Sequence, residues 1–427
     1  MTPPTVSPTA AATPNPAGEL DVETLRKDFP LLARTVHGRP LVYLDSASSS
    51  LQPRQVLAAM EQYYETCHAN VHRGVYTTAE EATARYEGAR TSVGRFVGAR
   101  DPEREIVFVK NATEALNLVA RSWGAANLHQ GDTVLLTELE HHANLVPWLM
   151  LAEQTGIKLR YLGLDADGRL DLSDLDRKLE GVKLVAVSAM SNVLGTIPPV
   201  TTIAEAAHAA GALVVADGAQ AVPHLPVDVQ ALGVDFLAFS AHKMHGPTGI
   251  GALWARAELL DSMPPFLGGG GMILDVRTDG FLPADPPHRF EAGTPPIAEA
   301  VGFGAAVDYL TALGMPRVRA HEERLTEYAM DAIADRLGED CKVFGPPAAP
   351  DRGGVLSLGF RDVHPHDLAQ VLDQYGVCVR PGHHCAKPLM RVLGVTATAR
   401  ASIGTYNDEH DIDTLIEGLI GAGRLFS

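Results

Sequence analysis

The chain has 427 residues, 46% of them hydrophobic, with a formal net charge of −17 and a pI near 5.4. That length and apolar content suffice for a large core and for two to three domains, or fewer in a large α/β enzyme. The acidic balance argues against bulk electrostatic binding to nucleic acid or an anionic membrane, and no apolar run reaches the ~18 residues of a membrane span.

Residues 1–18, "MTPPTVSPTAAATPNPAG", contain no Lys or Arg and no apolar core, so they predict a disordered tail and not a signal or transit peptide. Residues 19–40, with "ELDVETLRKDFPLL", are expected to pack against the C-terminal part. From 41 to 301 short apolar runs alternate with helical periodicity. Strands are expected in "REIVFVK", "DTVLLTE", "KLRYLGL", "KLVAVSAM", "ALVVADGAQ" and "VDFLAFSAHK", and helices in "EALNLVARSWGAANL" and "TIAEAAHAAG". This βαβ rhythm predicts an α/β domain with a largely parallel sheet. From 302 to 427 the texture changes to a smaller α+β domain. It contains the amphipathic "RVRAHEERLTEYAMDAIADRLG", the strands "GVLSLGF" and "VCVRP", and a helix near "HDLAQVLDQYG". A last helix carries Ile412, Leu415, Ile416, Leu419 and Ile420 on one face. The four cysteines, Cys67, Cys341, Cys378 and Cys385, form no CxxC pair. A reducing cytoplasm fits that usage better than a disulfide framework.

The segment "VDFLAFSAHKMHGPTGIGALWA" puts Ser240, His242 and Lys243 behind a buried strand. A lysine desolvated at such a place loses enough basicity to form a Schiff base; on its own it could equally be a surface lysine on a turn. Upstream, "ALVVADGAQAVPH" sets Asp217 at another strand's carboxyl end, where ligands of open α/β sheets bind. A carboxylate there can keep a pyridine nitrogen protonated, as a pyridoxal phosphate (PLP) electron sink requires; alternatively it caps a helix. "VKNATEALNL" reads as a strand followed by a capping box, Asn111 to Glu114. Free N–H groups of Ala112 and Thr113 with the Thr113 hydroxyl suit a phosphate.

"RPGHHCAKP" admits three readings: a metal site, a nucleophile, or a packed strand end. Structural zinc needs four convergent ligands. Adjacent His383 and His384 are expected to point apart in an extended segment. That leaves one histidine, Cys385, and Cys378 or His366. Cys67, Cys341 and Cys378 read as small packed hydrophobes.

Together "YLDSASS", "HANVHRGVYT", "ATEALNLVA", "ELEHHANLVPW", "SNVLGT", "DGAQAVPHLPVDV", "FSAHKMHGPTGIG", "GGGGMI", "RFEAGTP", "RPGHHCA" and "ARASIGTYN" carry a family resemblance. Over residues 20–426 the chain resembles the cysteine desulfurases among the fold-type-I PLP enzymes, specifically the SUF-type second group with its class-V aminotransferase-like fold. The resemblance implies a mostly parallel, seven-stranded-type sheet in the large domain and a smaller α+β domain after it. It implies Lys243 as the Schiff-base lysine, Asp217 as partner of the pyridinium nitrogen, Gln220 as donor to the ring hydroxyl, and His141 as the stacking ring. Thr113, Ser240 and His242 would hold the phosphate, joined by Thr294 of a second subunit, so a homodimer is implied. Asn192 and Arg400, with Arg380, would hold the substrate carboxylate. The resemblance decides for the nucleophile: Cys385 would take sulfur from L-cysteine as a persulfide, releasing L-alanine, with Arg380, His383 and His384 as positive neighbours. The sulfur would pass to an acceptor protein for iron–sulfur cluster assembly. "HPHD" resembles desulfurases that work with a zinc-containing, scaffold-like acceptor, with His366 as transient ligand. Ser48, Ala241, His245 and Pro381 depart from the usual pattern. The rival readings are a selenocysteine lyase, a PLP aminotransferase, which needs no Cys385, and a zinc-binding scaffold with no catalysis.

Overall fold

The computed structural model describes residues 18–347 and 351–426. The tail expected over 1–18 falls, apart from Gly18, outside them. Seven strands form the central sheet: β1 (Ile106–Val109), β2 (Thr133–Thr137), β3 (Lys158–Leu162), β4 (Val182–Ser188), β5 (Leu213–Asp217), β6 (Phe236–Ser240) and β7 (Gly251–Ala255). Their order is β1-β7-β6-β5-β4-β2-β3. β7 runs antiparallel to both neighbours and every other pair is parallel. The six runs read as strands from the sequence are β1 to β6. The seventh is the apolar run behind the glycine-rich loop.

The inner strands are apolar on both faces because helices cover both. Along β4, Leu184 and Ala186 enter one core while Val185 and Val187 enter the other, the two-residue alternation of a strand. The edge strand β3 instead leaves Lys158 exposed, which blocks further strand pairing.

After the helix Ile297–Leu313 comes a second, four-stranded antiparallel sheet in the order Cys341–Phe344, Val355–Phe360, Thr398–Ser402, Arg380–Gly382. The helices Met315–Leu337, Pro365–Gln374 and Glu409–Leu425 pack on it. Ile412, Leu415, Ile416 and Leu419 fill that core. Val42–Tyr43 pairs in parallel with Val377–Cys378, so the segment leading to Ala47 and Ser48 starts beside the small sheet. Arg26 binds Asp411 at 2.8 Å, and Phe29 packs among Tyr309, Tyr406 and His245. A hairpin, Ile273–Arg277 with Gly280–Pro283, was not evident in the sequence; it exposes Leu274, Val276, Phe281 and Leu282. No single helix among the described residues is long and apolar enough to cross a membrane.

Candidate active site

A cavity of about 270 Å³ opens at the carboxyl ends of β4, β5 and β6, where Ser188, Asp217 and Ser240 line it from the last position of each strand. Ala112, Thr113, His141, Asn192, Gln220, His242, Lys243, Arg380, Cys385 and Arg400 surround it. Of the residues given a cofactor, substrate or acceptor role from the sequence, Thr294 and His366 lie elsewhere. Thr294 is exposed on the wall of a second cavity with Glu114 and Glu291. His366 is exposed in the first turn of the helix Pro365–Gln374.

One end of the cavity is the turn between β1 and the helix Ala112–Leu118. Asn111 caps that helix, its Oδ1 accepting from Glu114 N at 3.0 Å. The Glu114 carboxylate accepts from Lys110 N. Gly251 lies opposite both Ser240 and Val109; a Cβ there would stand 2.6 Å from Phe239 O and 2.8 Å from Asn111 Cα. Only glycine lets this turn close over the end of β6. One expectation is corrected here. The Ala112 N–H is not free but donates to Ser240 Oγ at 2.8 Å. The hydroxyl therefore acts as acceptor toward the backbone, which leaves its own hydrogen free to donate, beside the exposed Thr113.

Lys243 ends the short helical turn Ala241–Lys243 that follows β6. Burial depresses its amine to about 8 against the pull of Asp217. Burial likewise raises the Asp217 carboxyl, whose Oδ1 accepts from Ala219 N at 3.0 Å. The two feel each other's charge, yet no ion pair joins them among the described residues. Asp217 is not a helix cap; that position before Ala221–His224 belongs to Gln220. The Gln220 amide nitrogen donates to Ala47 O at 2.7 Å, and its buried Oε1 has no partner. His141 Nδ1 accepts from Ala143 N at 3.0 Å, so the ring's hydrogen sits on Nε2. Burial, then Lys243, His142 and Arg400, hold that ring neutral, with its pKa lowered to about 3.

At the other end Arg400 is 2% exposed. Its Nη1 donates to Asn192 O at 2.8 Å and its Nη2 approaches Asp45 Oδ1 at 3.4 Å, while Nε has no partner. The Nε hydrogen is thus left without a partner, a donor that a carboxylate could satisfy. Arg380 donates to the same Asp45, at 2.8 Å. The Asn192 side chain donates to His384 O at 2.8 Å and so serves the loop that carries Cys385.

That loop is not extended as the sequence suggested. His384 and Cys385 take φ values of 51° and 54°, a left-handed turn that costs energy in non-glycine residues. His142 N donates to Cys385 O at 2.7 Å and Lys387 N to His142 Nε2 at 3.1 Å, clips that hold the turn. The adjacent histidines do point apart, His384 Nε2 meeting Thr398 Oγ1 at 2.9 Å. His384 does not supply the positive charge expected beside Cys385. Burial holds His384 neutral, with a pKa of about 3, and His383 Nδ1 accepts from Cys385 N at 3.1 Å. The cations whose charge reaches the exposed Cys385 are Arg380, Arg400 and Lys243.

Sequence reasoning missed Asp45, Ser188 and Glu140. Asp45 and Glu140 stand inside the motifs "YLDSASS" and "ELEHHANLVPW", but nothing local reveals which strand ends they meet.

A model of the aminotransferase class-V family matches residues 42–415. A probable cysteine desulfurase of Streptomyces coelicolor is 53% identical, covering 94% of this chain and 97% of its own length. A cysteine desulfurase of Haloferax volcanii is 46% identical, covering 96% and 98%. The apo structure of cysteine desulfurase from Thermococcus onnurineus superposes with a TM-score of 0.89 at 41% identity, covering 94% of this chain and 97% of that one.

PLP, the cofactor of this family, fits the residues present. A buried carboxylate without a counter-ion and a lysine of lowered basicity face one cavity. Gln220 Oε1 is an acceptor still to be satisfied, and Ser240 and Thr113 offer hydroxyls to an anion. The chain belongs to the class-V aminotransferase family of PLP-dependent, fold-type-I enzymes.

Proposed function

We propose that the protein is a cysteine desulfurase of the SUF type, converting L-cysteine to L-alanine and leaving the sulfur as a persulfide on Cys385. The observation that carries this reading is a shared cavity: an exposed thiol and Arg400, whose Nε has no partner, border the space that Lys243 and Asp217 face. A simple aminotransferase has no use for that thiol.

Lys243 would hold PLP through its amine, Asp217 at the ring nitrogen, Gln220 at the ring hydroxyl, and Thr113, Ser240 and His242 at the phosphate. His141 would lie on the ring, its neutrality avoiding repulsion with Lys243. When bound, the cofactor supplies an electron sink for the carbanion at the substrate Cα. Arg400, with Arg380 and Asn192 beside it, orients the substrate carboxylate. The Lys243 amine, neutral above about pH 8, removes the Cα proton. The Cys385 thiolate attacks the substrate sulfur; the S–S bond forms as the C–S bond breaks, and the carbon keeps the electron pair and takes a proton.

The deciding assay gives the purified protein L-cysteine or L-selenocysteine and measures alanine, with mass spectrometry of Cys385. Alanine from L-cysteine with one added sulfur on Cys385 supports the desulfurase. Turnover of selenocysteine alone supports the lyase, and amino transfer without persulfide supports the aminotransferase.

Asp217→Asn is expected to slow alanine release roughly a hundred-fold, the weight of about two pKa units at the ring nitrogen, and to shift the visible absorbance. Unchanged rate and spectrum would reduce Asp217 to a structural residue.

The homodimer reading rests on Thr294, exposed and remote from its own protomer's cavity. The four cysteines are free, which suits a reducing cytoplasm. For the acceptor, a zinc-bound scaffold-like protein supplying iron–sulfur cluster assembly is favoured by the exposed pair His364 and His366, whose rings stack 5.2 Å apart. A neutral imidazole can replace one thiolate on zinc and free it for the persulfide. His366→Ala should keep basal alanine release and lose its stimulation by such an acceptor. Stimulation equal to wild type removes the zinc exchange while leaving the desulfurase reading intact.

A further inference from the structure

Glu140 precedes His141 and is 3% exposed. Burial pushes its carboxyl up to about 7, and four hydrogen bonds oppose that rise. Oε1 accepts from Thr137 Oγ1 at 2.6 Å and from Ser188 N at 2.9 Å. Oε2 accepts from Ser188 Oγ at 2.8 Å and from Asn144 Nδ2 at 2.6 Å. Other partners fix the direction of two of these bonds, and a third comes from a backbone N–H. Thr137 Oγ1 already accepts from Leu139 N at 3.1 Å, so its hydrogen goes to Glu140. Trp148 Nε1 donates to Asn144 Oδ1 at 3.4 Å, which turns the amide nitrogen to Glu140. The Ser188 N–H can only donate. A set of donors alone matches an acceptor-only carboxylate.

The bonds tie together three parts of the site. Ser188 ends β4 opposite Asp217 and lines the cavity. Asn144 closes the turn His142–Asn144 that follows His141. The same turn carries His142, whose backbone N–H and ring clip the loop of Cys385 at Cys385 O and Lys387 N.

We infer that Glu140 is a positioning residue: by holding Ser188 and Asn144 it fixes the His141 ring on the cavity wall and the His142 clip on the Cys385 loop. The inference rests on the roles proposed for His141 and Cys385, but its test needs no turnover. Glu140→Gln sets an NH₂ group among donors, so at least one contact becomes donor against donor. Cys385 in the cofactor-loaded protein is alkylated with iodoacetamide and followed by mass spectrometry, alongside the visible circular dichroism of bound PLP. The expected result is alkylation about ten-fold faster than wild type, the factor a lost buried hydrogen bond is worth, with a changed dichroism band. Thr326→Val is the control. It removes a buried hydroxyl bonded to Glu322 O within the helix Met315–Leu337, away from the cavity, and should lower the melting temperature without moving either readout. Ser188→Ala removes only the bond to Oε2; it should shift both readouts less, in the same direction, and carries the test if Glu140→Gln does not fold. Wild-type alkylation and dichroism in the variants that fold would overturn the inference. A wild type that makes no alanine would instead sink the desulfurase reading, and the alkylation result would still decide the role of Glu140.

Discussion

Lys243→Ala is expected to lower alanine release from L-cysteine by about 10⁴-fold, the upper range for loss of a positioned general base. The cavity offers no substitute. His141 and His242 are neutral, with pKa values lowered to about 3 and about 4, but so low a basicity makes them poor acceptors for a Cα proton. Asp217 would be engaged at the ring nitrogen of the bound cofactor. Added PLP should bind weakly and be removed by dialysis, because the amine that bonds it is gone. The wild type allows a further check. An ordinary lysine has a pKa of 10.5 and this one is lowered to about 8. The rate at which cofactor-free protein captures PLP should therefore rise with pH up to about 8 and level off there. Normal turnover in Lys243→Ala, or a capture rate still climbing well above that pH, would remove Lys243 from the centre of the reaction.

Cys385→Ser should lose the persulfide altogether and slow alanine release by roughly 10³-fold, since a hydroxyl in place of a thiolate removes the nucleophile. Cofactor binding should be unchanged. Cys385 sits on a turn clipped by His142 and by Asn192 through His384 O, outside the residues assigned to PLP. The spectrum formed on adding L-cysteine should thus resemble that of the wild type, while mass spectrometry finds no added sulfur on residue 385. Alanine release at the wild-type rate would show that Cys385 is not the sulfur acceptor.

The sequence by itself determined most of the strands, because β1, β2, β4, β5 and β6 are largely apolar runs that only a doubly covered sheet can bury, while the edge strand β3 is apolar only in part. It also determined the chemistry-bearing residues at their ends, since Asp217 and the Ser240–Lys243 turn each follow such a run directly. What the tertiary structure alone decided are the partners of those residues. Asp45 and Arg400 are far apart in the chain, and they approach only because the segment behind Val42–Tyr43 runs beside the small sheet. The Ala112 N–H seemed free because capping rules are local, whereas Ser240 reaches it across β7 at a point where Gly251 has no side chain. His384 seemed to be a charge because histidine composition says nothing of burial. The fold buries it against Thr398. Glu140 went unrecognised for the same reason, as its donors come from the end of β4 and from its own turn, and short-range pattern carries no record of long-range pairing.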